Sequence, residues 1–198
     1  MENEKDKIGK QNTNMISLNI KKYYFIDKFN FSKLNNLDTN ITLIWRSKYD
    51  EKDLSIIKKI AAFCRKNKRN FFLSNNFKLA LKLDLGGVYI SAHNKDLRHK
   101  NYSFKKNFKI VGAAHNIYET NIKKLQNSGE IFFSPIFKNK NNQSRGLYKL
   151  NFLFKLYKGK KIALGGINNK NIKLLKISEF SGFAAIDYFE NKKKGPDG

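Results

Sequence analysis

Eight short apolar runs, spaced so that a helix or compact crossover fits between them, fix the topology open to this chain. They are Tyr23 to Ile26, Ile41 to Trp45, Asn70 to Leu73, Gly87 to Ile90, Lys109 to Ala113, Glu130 to Ser134, Lys161 to Leu164 and Gly182 to Ile186. Between the second and third, Leu54, Ile57, Ile60, Ala61 and Cys64 recur three and four apart, the spacing of one helical face. A second helical pattern, Ile172, Leu175 and Lys176, follows the turn Asn168 to Lys170. Parallel strands need a crossover rather than a hairpin, so this alternation predicts an α/β fold: a parallel sheet closed into a (βα)8 TIM barrel. The chain has 198 residues, close to the lower limit of roughly 200 for such a barrel. The helices after the first, fourth and last strands are therefore expected to be short or degenerate. An open doubly wound sheet is the alternative.

Residues 1–20 read as a polar N-terminal tail, residues 21–190 as one barrel domain, and 191–198 (NKKKGPDG) as a charged C-terminal tail. Hydrophobic residues at 40% and aromatics at 14% supply a core and exclude a disordered chain. A single cysteine, Cys64, excludes an internal disulfide framework and a cysteine-rich zinc module. Its place on the apolar helix face predicts packing rather than nucleophilic chemistry. No run approaches the ~18 apolar residues of a membrane helix, and the first residues lack a secretory apolar region. A soluble cytoplasmic protein is expected. The net charge of +24 would suit a nucleic-acid partner, but Lys and Asn are spread evenly, as AT-rich codon usage produces. No nucleic-acid surface is expected, and the oligomeric state is left open.

In parallel barrels the chemistry sits at the C-terminal ends of the strands. Arg46 and Lys48 follow the second run, Asn75 and Asn76 the third, His93 and Asn94 the fourth, and His115 the fifth. Ser134 closes the sixth run, before PIFKNKNNQSRG, and Gly165 and Gly166 follow the seventh. Two glycines ahead of a helix let backbone N–H groups approach an anion, which suits a phosphate; a plain tight turn uses the same residues. Arg46 and Lys48 alternate, so both can lean over the barrel mouth. A neutral imidazole at His115 suits general acid or base catalysis near neutral pH, or a hydrogen bond that caps the barrel. His93 and His99 lie in a polar loop, where solvation is expected. Trp45 is expected between barrel and helices.

Six segments in order resemble the thiamine phosphate synthase family, which includes the TenI-type thiazole tautomerases. YYFID is similar to its first strand, TLIWRSK to its Arg-x-Lys segment, and GGVYI to its Gly-Val-His-Leu strand. VGAAHNIYE resembles its Ser-x-His strand end, FFSPIF its Gly-Pro-x-Phe segment, and IALGGIN its Gly-Gly-Ile loop. The match spans about Tyr23 to Phe189.

The resemblance implies a (βα)8 barrel that takes small phosphorylated thiamine precursors. A synthase of this kind joins hydroxymethylpyrimidine diphosphate to thiazole phosphate with help from Mg2+. Arg46 and Lys48 would then hold diphosphate, and Gly165 and Gly166 the thiazole phosphate, with Asn75, Asn76, Asn94 and Ser134 completing the substrate site. The tautomerase branch moves a proton on a thiazole carboxylate phosphate without metal, and His115 stands at the matching histidine. A barrel that binds precursors without turnover is the remaining alternative. The family's two Asp residues expected to support Mg2+ appear as Asn76 (or Asn75) and Asn94, so no metal ligand is assigned. Its Thr-x-Thr-Lys reads Asn139 to Asn142, and Asp187 replaces a small Ser near the phosphate. A carboxylate there repels phosphate unless Lys or Arg from the loop around Arg145 compensates.

Overall fold

Strand pairing runs β1-β2-β3-β4-β5-β6-β7-β8 and returns to β1, closing a parallel barrel in the computed structural model. The structure describes residues 20–46, 53–138, 144, 154–155, 157–177 and 179–190. The strands are β1 (Lys21–Ile26), β2 (Ile41–Trp45), β3 (Phe71–Ser74), β4 (Gly87–Ile90), β5 (Lys109–Ala114), β6 (Glu130–Phe133), β7 (Lys160–Leu164) and β8 (Gly182–Ala185). The expected runs locate all eight, with ends that move by at most two residues.

Alternation along each strand divides the apolar residues into two layers. Tyr23, Phe25, Ile44, Phe72, Tyr89, Val111, Phe132 and Ile162 fill the barrel interior. The Phe132 ring meets Tyr23, Phe25 and Tyr89 edge-on at centroid distances of 4.8, 6.3 and 5.5 Å. Their neighbours Tyr24, Leu43, Trp45, Phe71, Leu73, Val88, Ile131 and Phe133 face the outer layer. Trp45 is buried there, as its alternation predicts. The interior also holds a charge: Glu130 is buried, ion-paired with Lys21, and accepts the Tyr23 hydroxyl at 2.5 Å.

The outer layer is uneven. Helix α2 (Asp53–Lys66) buries Ile57, Ile60, Ala61, Phe63 and Cys64, and burial pushes the Cys64 thiol up to about 12, consistent with packing. Helices α1 (Phe31–Asn35), α3 (Phe77–Lys82) and α4 (Ile117–Leu125) each start on an Asn whose side chain accepts the N–H three residues on. The crossover after β4 holds a 3-10 helix, Arg98–Asn101, and after β8 the described residues end in the helical turn Asp187–Glu190. Shortening after the first and fourth strands is thus observed.

Two expectations need correction. The helical pattern after the turn at Asn168 begins where expected but is a 3-10 helix, Ile172–Ile177, with the side chains of Asn168 and Asn171 closing the turn ahead of it. His99 is buried rather than solvated: it stacks on Phe77 at 4.3 Å, with Nε2 3.0 Å from the Gln126 carbonyl. No helix among the described residues is long and apolar enough to cross a membrane.

Candidate functional site

Closure of a parallel barrel brings all strand C-termini to one rim, so Arg46, Asn75, Asn94, His115, Ser134 and Gly165 share one end of the molecule. On one side of that rim lies a cleft of about 730 Å³, lined by Phe25, Arg46, Lys138, Gly165, Gly166 and Asp187 among others. The Arg46 backbone N–H continues the β1–β2 ladder to Ile26 O at 3.0 Å, and its guanidinium lies 5.5 Å from the Phe25 ring centroid. Lys48 lies outside the described residues, as do Asn139 to Asn142 and Arg145.

The glycine pair serves packing first. Gly165 and Gly166 have φ of +93° and +68°, conformations that suit residues without a Cβ. A Cβ on Gly166 would lie 2.5 Å from Lys138 O and 2.6 Å from Phe137 O, so the β6 loop rests directly on it. Ile136 N and Phe137 N donate to Leu164 O and Gly165 O at 3.0 and 3.2 Å. Just beyond, Asn168 Oδ1 accepts the N–H groups of Lys170 and Asn171, and Asn171 Oδ1 accepts that of Asn168. The N–H groups of Asn168, Lys170 and Asn171 are thereby taken by amide side chains. The expected helix N-terminus behind the glycines is replaced by this turn, and Asp187 lines the same cleft.

Across the rim, His115 is held on both sides. Its backbone N–H donates to Glu119 Oε2 at 2.5 Å, and its Nδ1 lies 2.8 Å from Ser134 O and 3.1 Å from Ser134 Oγ. A carbonyl oxygen only accepts, so Nδ1 carries the proton and Nε2 of the neutral ring keeps its lone pair. The exposed His93 stands beside it, ring centroids 6.4 Å apart. His115 and Ser134 come together with Glu119, a partner the sequence reading passed over, although it stands four residues on.

Asn75, with φ +58°, occupies the end of β3. Its Oδ1 accepts Ser91 N at 2.9 Å and Asn94 Nδ2 at 3.0 Å, while its Nδ2 faces Ser91 Oγ at 3.1 Å. Asn94 Oδ1 accepts Asp96 N at 2.8 Å. Asn76 caps α3, its Oδ1 accepting Leu79 N at 3.0 Å. The Asp96 carboxylate is engaged by the Arg98 side chain and N–H, which pull its pKa down to about 2.

Mg2+ favours carboxylates and other hard oxygen ligands. The two facing residues are neutral amides whose oxygens already accept two N–H groups at Asn75 and one at Asn94, and the neighbouring carboxylate is committed to arginine. This donor set does not fit the ion.

No curated protein matches the chain. Among solved structures, it is similar to the thiamine phosphate pyrophosphorylase of Pyrococcus furiosus, with 19% identity and a TM-score of 0.67 over 86% of this chain and 91% of the other. The Bacteroides thetaiotaomicron thiamine phosphate pyrophosphorylase also matches at 19% identity, TM-score 0.54, over 86% and 84%. FabK of Thermotoga maritima, at 9% identity and TM-score 0.63 over 87% and 60%, shows how widely the barrel is shared. The family model described as thiamine monophosphate synthase matches residues 37–189. That span takes in the rim from Arg46 to Asp187, and the chain belongs to the thiamine monophosphate synthase family.

Proposed function

We propose that this chain is an enzyme of thiamine precursor metabolism that transfers a proton on a phosphorylated thiazole, using His115. The observation that carries the reading is the His115 tautomer: Ser134 O fixes the proton on Nδ1, which leaves Nε2 as the basic atom. Nε2 takes a proton from one position of the thiazole and the imidazolium returns it to another, so the reaction is an isomerisation with no co-reactant. Glu119 restrains the His115 backbone during both transfers. Arg46 and Lys138 supply positive charge at the cleft for the anionic end of the substrate. The partners are small molecules, with no role for nucleic acid.

The test is turnover of the thiazole carboxylate phosphate tautomer in chelator, followed by NMR, with wild type and His115→Asn. Conversion by wild type that is lost in the variant supports the reading; equal rates end it. Joining hydroxymethylpyrimidine diphosphate to thiazole phosphate is the second reading, favoured by the family relation and by Arg46 at the cleft. Thiamine phosphate formation that collapses in chelator would establish it instead.

A further inference from the structure

Helix α4 is turned inside out. It exposes Ile117, Tyr118 and Leu125 and buries Thr120, Lys123 and, at its C-cap, Gln126, against the amphipathic order expected of a surface helix. Lys123 and Gln126 are both 0% exposed. The Lys123 stem lies across Gly112 of β5, where a Cβ would come within 2.6 Å of Lys123 Cδ. Only glycine leaves the channel that lets this chain reach inward.

What the two side chains hold is the loop after β4. Lys123 Nζ donates to Asn94 O at 2.7 Å and to Gln126 Oε1 at 2.9 Å. Gln126 Nε2 donates to Asn94 O at 3.0 Å and Asp96 O at 2.9 Å. One turn earlier on the same face, Glu119 holds the His115 N–H. Residues 119, 123 and 126 are spaced four and three apart, so one face of α4 grips the rim at both β4 and β5.

We infer that Lys123 and Gln126 are positioning residues that set the β4 loop so that Asn94 meets Asn75 at the substrate site. A buried cation with no carboxylate in hydrogen-bond contact among the described residues is an expensive way to fill space, and an apolar side chain of equal length would pack there more cheaply. A donor-rich tip on a long stem is what crosses the outer layer to reach loop carbonyls. The inference deepens the proposed function but has a readout of its own.

The experiment compares wild type with Lys123→Met and Gln126→Glu by hydrogen exchange, thermal melting and titration with thiazole phosphate. Gln126→Glu separates two roles: its carboxylate would pair with Lys123, sustaining stability, yet it would turn acceptor oxygens toward Asn94 O and Asp96 O. Both variants are expected to keep wild-type melting temperatures or exceed them. Both should speed amide exchange across residues 91–97 by about tenfold, the factor for losing a net hydrogen bond or so, and weaken thiazole phosphate by a similar factor. Unchanged loop exchange in both variants overturns the clamp. If wild type fails to bind thiazole phosphate, the proposed function falls, while the exchange comparison still decides the clamp.

Discussion

Replacing Lys123 by Met should stabilise the protein near neutral pH and change its response to alkali. Burial lowers the Lys123 pKa from 10.5 to about 8, with attraction to Glu119 working the other way. Each pH unit is worth about 1.4 kcal/mol, so keeping the proton at pH 7 costs the fold about 3 kcal/mol. The sign follows from which state binds the proton more tightly. Between about pH 8 and pH 10.5 the unfolded chain holds it and the folded chain has released it, so this group's contribution to stability rises with pH. Below pH 8 the full penalty stands. Met retains the length of the stem across Gly112 and has no charge. Urea unfolding at pH 7 to 10, followed through the single tryptophan, buried Trp45, gives both curves. The advantage of the variant over wild type should be greatest at pH 7 and shrink by about 2 kcal/mol by pH 10. Parallel curves over that range would show that Lys123 keeps an ordinary affinity for its proton and refute the reasoning.

Three further outcomes follow from the rim. Gly166→Ala places a Cβ 2.5 Å from Lys138 O at φ +68°, and should lower stability by about 2 kcal/mol or more, read as a drop in Tm. Asn75→Asp combined with Asn94→Asp should create measurable Mg2+ binding in calorimetry, whereas Asn94→Asp alone sets a carboxylate against Asn75 Oδ1 and should bind weakly. Asp187→Ser removes the carboxylate from the cleft that also holds Arg46 and Lys138, and should raise thiazole phosphate affinity about tenfold or less, since these groups face solvent; unchanged titration would show that the carboxylate points away from the ligand.

The barrel was legible because its signal is redundant. Alternation in strands such as Ile41–Trp45 and Gly87–Ile90 carries both layers of the core, and a shift by one residue would exchange them. The rim positions follow from topology alone, so Arg46, Asn75, Asn94, His115 and Ser134 were found without knowing one side-chain contact. What was hidden concerns polar residues inside. Glu130, Lys123 and Gln126 are residue types that are normally solvated, and in a chain with 40 lysines and arginines one more lysine carries no mark. A usable signal was present in α4, where apolar Ile117, Tyr118 and Leu125 fall on a different face from Thr120 and Lys123. After β7 the turn at Asn168 was legible, with Asn168 and Asn171 capping each other, whereas the spacing of Ile172 and Leu175 did not tell that the helix behind it is 3-10.

The two unusual features of the site answer one electrostatic requirement. Carboxylates facing each other across the ends of β3 and β4 would repel and need a cation between them, which would also tie the two strand ends together. Asn75 and Asn94 need no such ion, because one amide donates to the other at 3.0 Å. The tie that an ion would provide then falls to the protein, and it comes from behind: Lys123 and Gln126 reach through the outer layer to the carbonyl of Asn94 itself. A fixed positive charge at that carbonyl also opposes entry of a divalent cation a few ångströms away. The amide pair, the Gly112 channel and the inverted face of α4 therefore belong together, and introducing carboxylates at Asn75 and Asn94 should bind Mg2+ more tightly when Lys123→Met is added than when Lys123 is kept. Equal affinity in the two backgrounds, measured by calorimetry at neutral pH, would separate the clamp from the amide pair.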